Sequence, residues 1–174
     1  MTRQGDPHQQ QKGVRAANCM VATGHPLAAR TAIRVLEAGG SAVDAAIAAD
    51  AILGVVEPMA TGIGGDILAM LVQPGGDAIT YNGTGRAPMA LTGDRIESLP
   101  GGKIPERHPL STTTPGVVRG WFDLHQRYGR LPMADLLATA IATAEAGFAV
   151  GPICAREWQL FEPVLQSDPT SAVL

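Results

Sequence analysis

Residues 42–56 form an apolar, alanine-rich tract whose only charges are Asp44 and Asp50. Gly39-Gly40-Ser41 stands before it and Glu57-Pro58 after it. Ser41 with Asp44 three residues on approximates a capping box, and the residue before a proline is steered away from helix. The tract therefore predicts a helix over 42–56 that is apolar nearly all round. A helix without a wet face has to be buried between layers, and its alanines let a neighbouring backbone come close. It is shorter than the roughly 20 apolar residues that span a bilayer, and it carries two carboxylates. No other tract comes nearer, so no membrane partner is expected.

Residues 27–38 carry Arg30, Arg34 and Glu37 at i, i+4 and i+7, one wet stripe on an otherwise apolar cylinder. Pro26 suits a first helical turn and Gly39 a left-handed end, so a helix is predicted here too. Residues 19–22 before it read as a short strand. Residues 61–66 read as a loop, and 67–72, an unbroken apolar run, as a central strand. Residues 74–77 make a hairpin turn and 78–81 the return strand. Residues 82–114 are irregular; so long a structureless stretch is usually functional or packed against a partner. Val117, Val118, Trp121, Leu124, His125 and Tyr128 form a helical stripe ended by Gly129. Met133, Leu136, Leu137, Ala140, Ile141 and Ala144 repeat at helical spacing between Pro132 and Gly147. One more helix is expected over 152–161. The pattern is mixed α/β, without the strict alternation of a doubly wound sheet.

The 174 residues suit one domain or a piece of a larger one, and 45% are hydrophobic, which excludes disorder by composition. Only 17% are charged, so much surface is buried within the chain or against something outside it. The net charge is −3 and the 13 Lys and Arg are scattered, which argues against nucleic acid as a partner. Cys19 and Cys154 form no CxxC and are expected to be buried thiols. Residues 1–15 read as a flexible polar arm and 16–174 as the folded part. The arm has no apolar run of the kind a secretory signal needs, so a cytoplasmic location is expected.

Familiar catalytic signatures are missing. There is no GxSxG, no HExxH and no P-loop. His8, His25, His108 and His125 show no metal spacing. His25 reads as a local turn bond and His125 as a packed residue. Gly62-Ile63-Gly64-Gly65 has the glycines of a phosphate cradle, but it leads into a strand rather than a helix. Close backbone packing is the better reading. Ser111-Thr112-Thr113-Thr114-Pro115-Gly116 is rich in hydroxyls with no base beside it, and reads as a strand edge before the next helix. Asn82-Gly83-Thr84-Gly85-Arg86-Ala87-Pro88 sets one arginine among small residues. Arg86 there either grips a substrate carboxylate through two parallel hydrogen bonds or satisfies loop carbonyls.

Taken together, several segments resemble the gamma-glutamyltranspeptidase family. They are Met20-Val21-Ala22-Thr23-Gly24-His25-Pro26-Leu27-Ala28, Leu36-Glu37-Ala38-Gly39-Gly40-Ser41-Ala42-Val43-Asp44-Ala45-Ala46, Leu53-Gly54-Val55-Val56-Glu57-Pro58 and Gly62-Ile63-Gly64-Gly65-Asp66. The likeness returns at Pro115-Gly116, Arg127-Tyr128-Gly129-Arg130-Leu131-Pro132 and Ala144-Glu145-Ala146-Gly147-Phe148. The resemblance implies an N-terminal-nucleophile hydrolase with a four-layer αββα sandwich, of which this chain holds part. It implies a precursor that cuts itself in two, so that a threonine heads the small subunit and attacks a gamma-glutamyl amide with its own amine as base. It implies no metal and no organic cofactor. The partners implied are the rest of the large subunit, the small subunit, and a gamma-glutamyl or related amide such as glutathione.

The chain departs from the family pattern in two places. Family members typically read Asp-Gly-Arg-Glu-Thr-Ala-Pro at 82–88, and their arginine grips the alpha-carboxylate of the gamma-glutamyl group. Aligned on Ala-Pro, Thr84 holds that position here and Arg86 comes two residues later. This version resembles a divergent branch whose members prefer other amides, such as oxamate or beta-lactam side chains. Arg86 and Thr84 are accordingly the expected substrate-binding residues. Second, the catalytic threonine lies downstream of this chain in the family, so no catalytic residue is expected in it. Residues 1–174 alone should then be inactive and expose apolar sheet and helix faces. The rival readings are a related amidase or acylase, a truncated non-catalytic fold partner, and a small-molecule binding domain built on the glycine loops.

Overall fold

Ser41 opens helix α2 (Ala42–Val56) with the expected capping box. Its Oγ accepts from Asp44 N at 3.0 Å, and Asp44 Oδ2 accepts from Ser41 N at 2.8 Å. The computed structural model describes residues 14–105 and 108–171, so the arm expected over 1–15 lies almost wholly outside the described residues. Helix α2 is the centre of the molecule. Val43, Ile47, Ala48, Ile52 and Val56 are buried, and the helix packs against elements on several sides.

Helix α1 (Pro26–Glu37) precedes it, capped by His25, whose Nδ1 accepts from Leu27 N at 3.1 Å. Arg30, Arg34 and Glu37 face out, while Ala28, Thr31, Ala32 and Val35 are buried. After α2 comes an antiparallel hairpin of β1 (Ile67–Val72) and β2 (Ala78–Gly83). Then follow the short α3 (Gly93–Glu97), α4 (Val117–Tyr128), α5 (Met133–Ala146) and α6 (Pro152–Gln166). Helices α1 and α5 flank α2, and α4 touches both α2 and β2. The core is made of aliphatic residues from α1, α2, α4 and α5, with Trp121 as its largest member.

The hairpin meets α4 through Tyr81, whose hydroxyl donates to Asp123 Oδ2 at 2.9 Å. Arg119 Nε donates to Asp123 Oδ1 at 2.7 Å, and this bond above all holds the Asp123 carboxyl below the usual range. Helix α6 runs past the expected end at 161 despite Pro163. Its Cys154 thiol donates to Val56 O at 3.2 Å, and burial pushes the thiol pKa up.

Strand register puts Ile67, Ala69 and Leu71 on one face with Gly83, Tyr81 and Ile79, and this face meets the helices. Leu68, Met70 and Val72 point the other way and are 74%, 71% and 69% exposed. Ile141 on α5 and Ile153 and Leu160 on α6 are also exposed. The apolar sheet and helix faces expected to lie open are therefore open.

Several expectations differ from the structure. Residues 19–22 are not a strand: a strand needs a partner, and neither β1 nor β2 pairs with them. Strand β1 is not central among the described residues, because its only neighbour in the sheet is β2. Its apolar run on both faces marks a strand whose second face is uncovered here. Cys19 is half-buried, not buried. Residues 111–116 are not a strand edge: Ser111 ends a short helical turn over 109–111 capped by His108, and 112–116 join no strand.

Candidate functional site

Backbone ties draw three loops to one end of the hairpin: the glycine loop before β1, the loop after β2, and the segment entering α4. The first N–H groups of a helix have no partner inside it. Here the N–H groups of Gly116 and Val117 both donate to Gly65 O at 3.0 Å. Thr114 N donates to Arg86 O at 3.0 Å. Asp66 Oδ1 accepts from Gly85 N at 2.7 Å and from Thr113 Oγ1 at 3.2 Å. Asn82 Oδ1 closes a local turn by accepting from Thr84 N at 2.9 Å.

Two glycines make this convergence possible by what they lack. A Cβ on Gly85 would collide with Thr114 O, and one on Gly116 with Gly83 O. The obstacles are backbone atoms, which cannot rotate away as a side chain can. The loops therefore approach more closely than any side chain at these two positions would permit.

Thr84 and Arg86 sit on the tied loop, and both are exposed. The Arg86 guanidinium makes no hydrogen bond or ion pair with a described residue, whereas its carbonyl is held by Thr114. The backbone on both sides of this bond is thus held in place. Of the two readings for Arg86, satisfying loop carbonyls has no support in these contacts. The hydroxyl-rich segment serves the same convergence through Thr113. Residue spacing did not reveal Asp66, whose partners lie 19 and 47 positions downstream.

A groove of about 930 Å³ runs beside the open edge of β1, between α2 and the strand, with Ala46, Asp50, Met70, Trp121 and Arg130 among its lining. Thr84 and Arg86 do not line it. Asp50 is already engaged, accepting from Trp121 Nε1 at 2.9 Å and Thr61 Oγ1 at 3.2 Å. An unpaired strand edge forms one wall, so the groove has the character of a place for more protein.

The remaining polar clusters are structural. Asp44 is fully buried, and its Oδ2 also accepts from Arg130 N at 2.9 Å and Leu131 N at 3.2 Å. His125 Nε2 donates to Leu131 O at 2.7 Å, which makes it the packed residue the sequence suggested. Among the described residues no three His, Cys, Asp or Glu gather into a metal-binding group. No helix among them is long and apolar enough to cross a membrane.

Comparison with known proteins gives the chain its context. The family model described as gamma-glutamyltranspeptidase matches residues 28–174. The glutathione hydrolase-like YwrD proenzyme of Bacillus subtilis is 37% identical over 163 residues, covering 92% of this chain and 31% of that protein. The crystal structure of Helicobacter pylori gamma-glutamyltranspeptidase matches with a TM-score of 0.83 at 28% identity, covering 91% of this chain and 46% of that one. A cephalosporin acylase from Bacillus halodurans matches with a TM-score of 0.79 at 37% identity, covering 95% of this chain and 32% of that one. The chain thus spans about a third of the curated relative it matches.

Proposed function

The chain belongs to the gamma-glutamyltranspeptidase family and carries part of its N-terminal-nucleophile hydrolase fold, and from this we propose that it is the front of a self-cleaving amidase. In this reading the precursor cuts itself into two subunits. The threonine exposed at the new N-terminus lies outside these residues. Its hydroxyl attacks the amide carbonyl while its own amine takes the proton. The amine leaving group departs with a proton, and water or an acceptor amine then releases the acyl group. The substrate is a small acidic amide of the gamma-glutamyl type.

The observation that carries the reading is Arg86, a fixed backbone whose exposed guanidinium pairs with none of the described residues. A planar fork of this kind suits a substrate carboxylate, and the Thr84 hydroxyl beside it adds a neutral hydrogen-bonding group. Arg86→Ala in the processed protein is expected to raise KM for an acidic amide about tenfold while kcat changes little. An unchanged KM removes Arg86 from the site.

A second reading is favoured by Thr84 standing where the family pattern has arginine. The acyl group accepted would then be something other than gamma-glutamyl, and the similarity to a cephalosporin acylase supports this. Rates on gamma-glutamyl and on other acidic amides, compared side by side, separate the two.

The open face of β1 and the groove at its edge support a further part of the reading. The rest of the large subunit and the small subunit cover them. The test is intact mass and N-terminal sequencing of the full-length protein. Two chains are expected, one beginning with threonine, and residues 1–174 alone should show no turnover. A single uncut chain overturns the proposal and favours a non-catalytic partner.

A further inference from the structure

Asp66 ends the glycine loop before β1 and is exposed. Its carboxylate reaches across to the two other loops at the end of the hairpin. Oδ1 accepts from Gly85 N at 2.7 Å, and both oxygens lie within 3.4 Å of Thr113 Oγ1. Gly85 immediately precedes Arg86, and Thr114, immediately after Thr113, donates its N–H to Arg86 O. Each link next to Arg86 is therefore tied, directly or through one neighbour, to a single carboxylate. The pull is electrostatic and directional: an ionised acceptor makes shorter and stronger hydrogen bonds than a neutral one.

We propose that Asp66 is a positioning residue, a clamp that sets the direction in which Arg86 presents its guanidinium to the substrate carboxylate. The inference rests on the carboxylate-binding role given to Arg86 above. Asp66 touches no substrate in this scheme and acts only through the loop. Without it, Gly85 and Thr113 are released, the loop samples more orientations, and the arginine meets the carboxylate in its productive pose less often. Because Asp66 is exposed, its loss leaves no buried group unpaired and costs the fold little.

The experiment is a double-mutant cycle in the full-length, self-cleaved protein, read as KM and kcat on an acidic amide. Arg86→Ala and Asp66→Ala are each expected to raise KM, Asp66→Ala by about tenfold, with kcat within about twofold. Asp66→Asn keeps an acceptor oxygen at the same place and is expected to restore most of the loss. In the Arg86→Ala background, Asp66→Ala should add nothing further, because its effect passes through the arginine. If Asp66→Ala fails to self-cleave, Thr113→Val removes the hydroxyl end of the same clamp and takes its place in the cycle.

The failures are distinct. An unchanged KM in Arg86→Ala overturns the role of the arginine and the clamp with it. A raised KM in Arg86→Ala with an unchanged KM in Asp66→Ala overturns the clamp alone. Additive effects in the double variant also overturn it, since Asp66 would then act independently of Arg86.

Discussion

Replacing Asp44 by alanine is expected to destabilise this part of the protein by about 3 kcal/mol or more, the largest loss from any single polar substitution described here. Asp44 is fully buried, and one oxygen serves three backbone donors: Ser41 N, Arg130 N and Leu131 N. The first belongs to the start of α2. The other two belong to the connection between α4 and α5, 86 and 87 positions downstream. Alanine would leave all three donors short of a partner in a place water reaches poorly, and each such group costs about 1–3 kcal/mol. It would also remove the negative charge from the N-terminal turn of α2, where the helix dipole favours it.

The second oxygen sharpens the prediction. Asp44 Oδ1 is buried and finds no hydrogen-bond partner among the described residues. The nearest ionisable nitrogen, His125 Nε2, is 3.8 Å away, beyond hydrogen-bond reach, and its proton already goes to Leu131 O. Asparagine can keep the three donors on its carbonyl oxygen, but it gives up the negative charge at the N-terminal turn of α2. Asp44→Asn should therefore fall between the native protein and Asp44→Ala. Urea unfolding followed by a probe in this region is the measurement, and the alanine variant should shift the midpoint down by about 1–2 M. An unchanged midpoint would show that the contact between α2 and the α4–α5 connection is not made.

Gly116→Ala is expected to be nearly as damaging, for a steric reason. The added Cβ would collide with Gly83 O and lie 3.1 Å from both Gly83 C and Gly85 N. Relief requires α4 to back away from the hairpin. That movement breaks the paired bonds from Gly116 and Val117 to Gly65 O and loosens the loop that carries Arg86. Overpacking against immobile backbone costs about 3 kcal/mol. Under the proposed function, the cost should appear as a lower fraction of self-cleaved protein and a higher KM in what remains. Gly64→Ala is the control, since a Cβ there meets nothing within 4 Å, and it should behave as the native protein. Native processing and KM in Gly116→Ala would show that the loops do not converge as described.

Much of the framework was legible in the residues because its signals are local. The bounds of α2 follow from Ser41, Asp44 and Pro58, and those of α4 and α5 from apolar spacing and from Gly129 and Gly147. Each such signal lies within a few residues of the element it defines. Residues 19–22 mislead for the opposite reason. Their composition suits a strand, but a strand exists only when another segment supplies the hydrogen bonds. The same limit applies to β1, whose apolar residues on both faces anticipate a cover that neither β2 nor the helices provide on one side.

The candidate site divides along the same line. The family, the main helices and hairpin, and a lone arginine among glycines at 82–88 are all legible along the chain. That Gly65, Gly85, Asp66, Thr113 and Gly116 meet emerges from the fold alone. The fold alone shows that Asp44, already in the capping box of α2, also ties down a distant loop. Helix period and capping are set by bonds between near neighbours, so they leave a mark in spacing. A carboxylate shared between segments dozens of residues apart leaves none, because its partners are backbone N–H groups that nearly every residue carries.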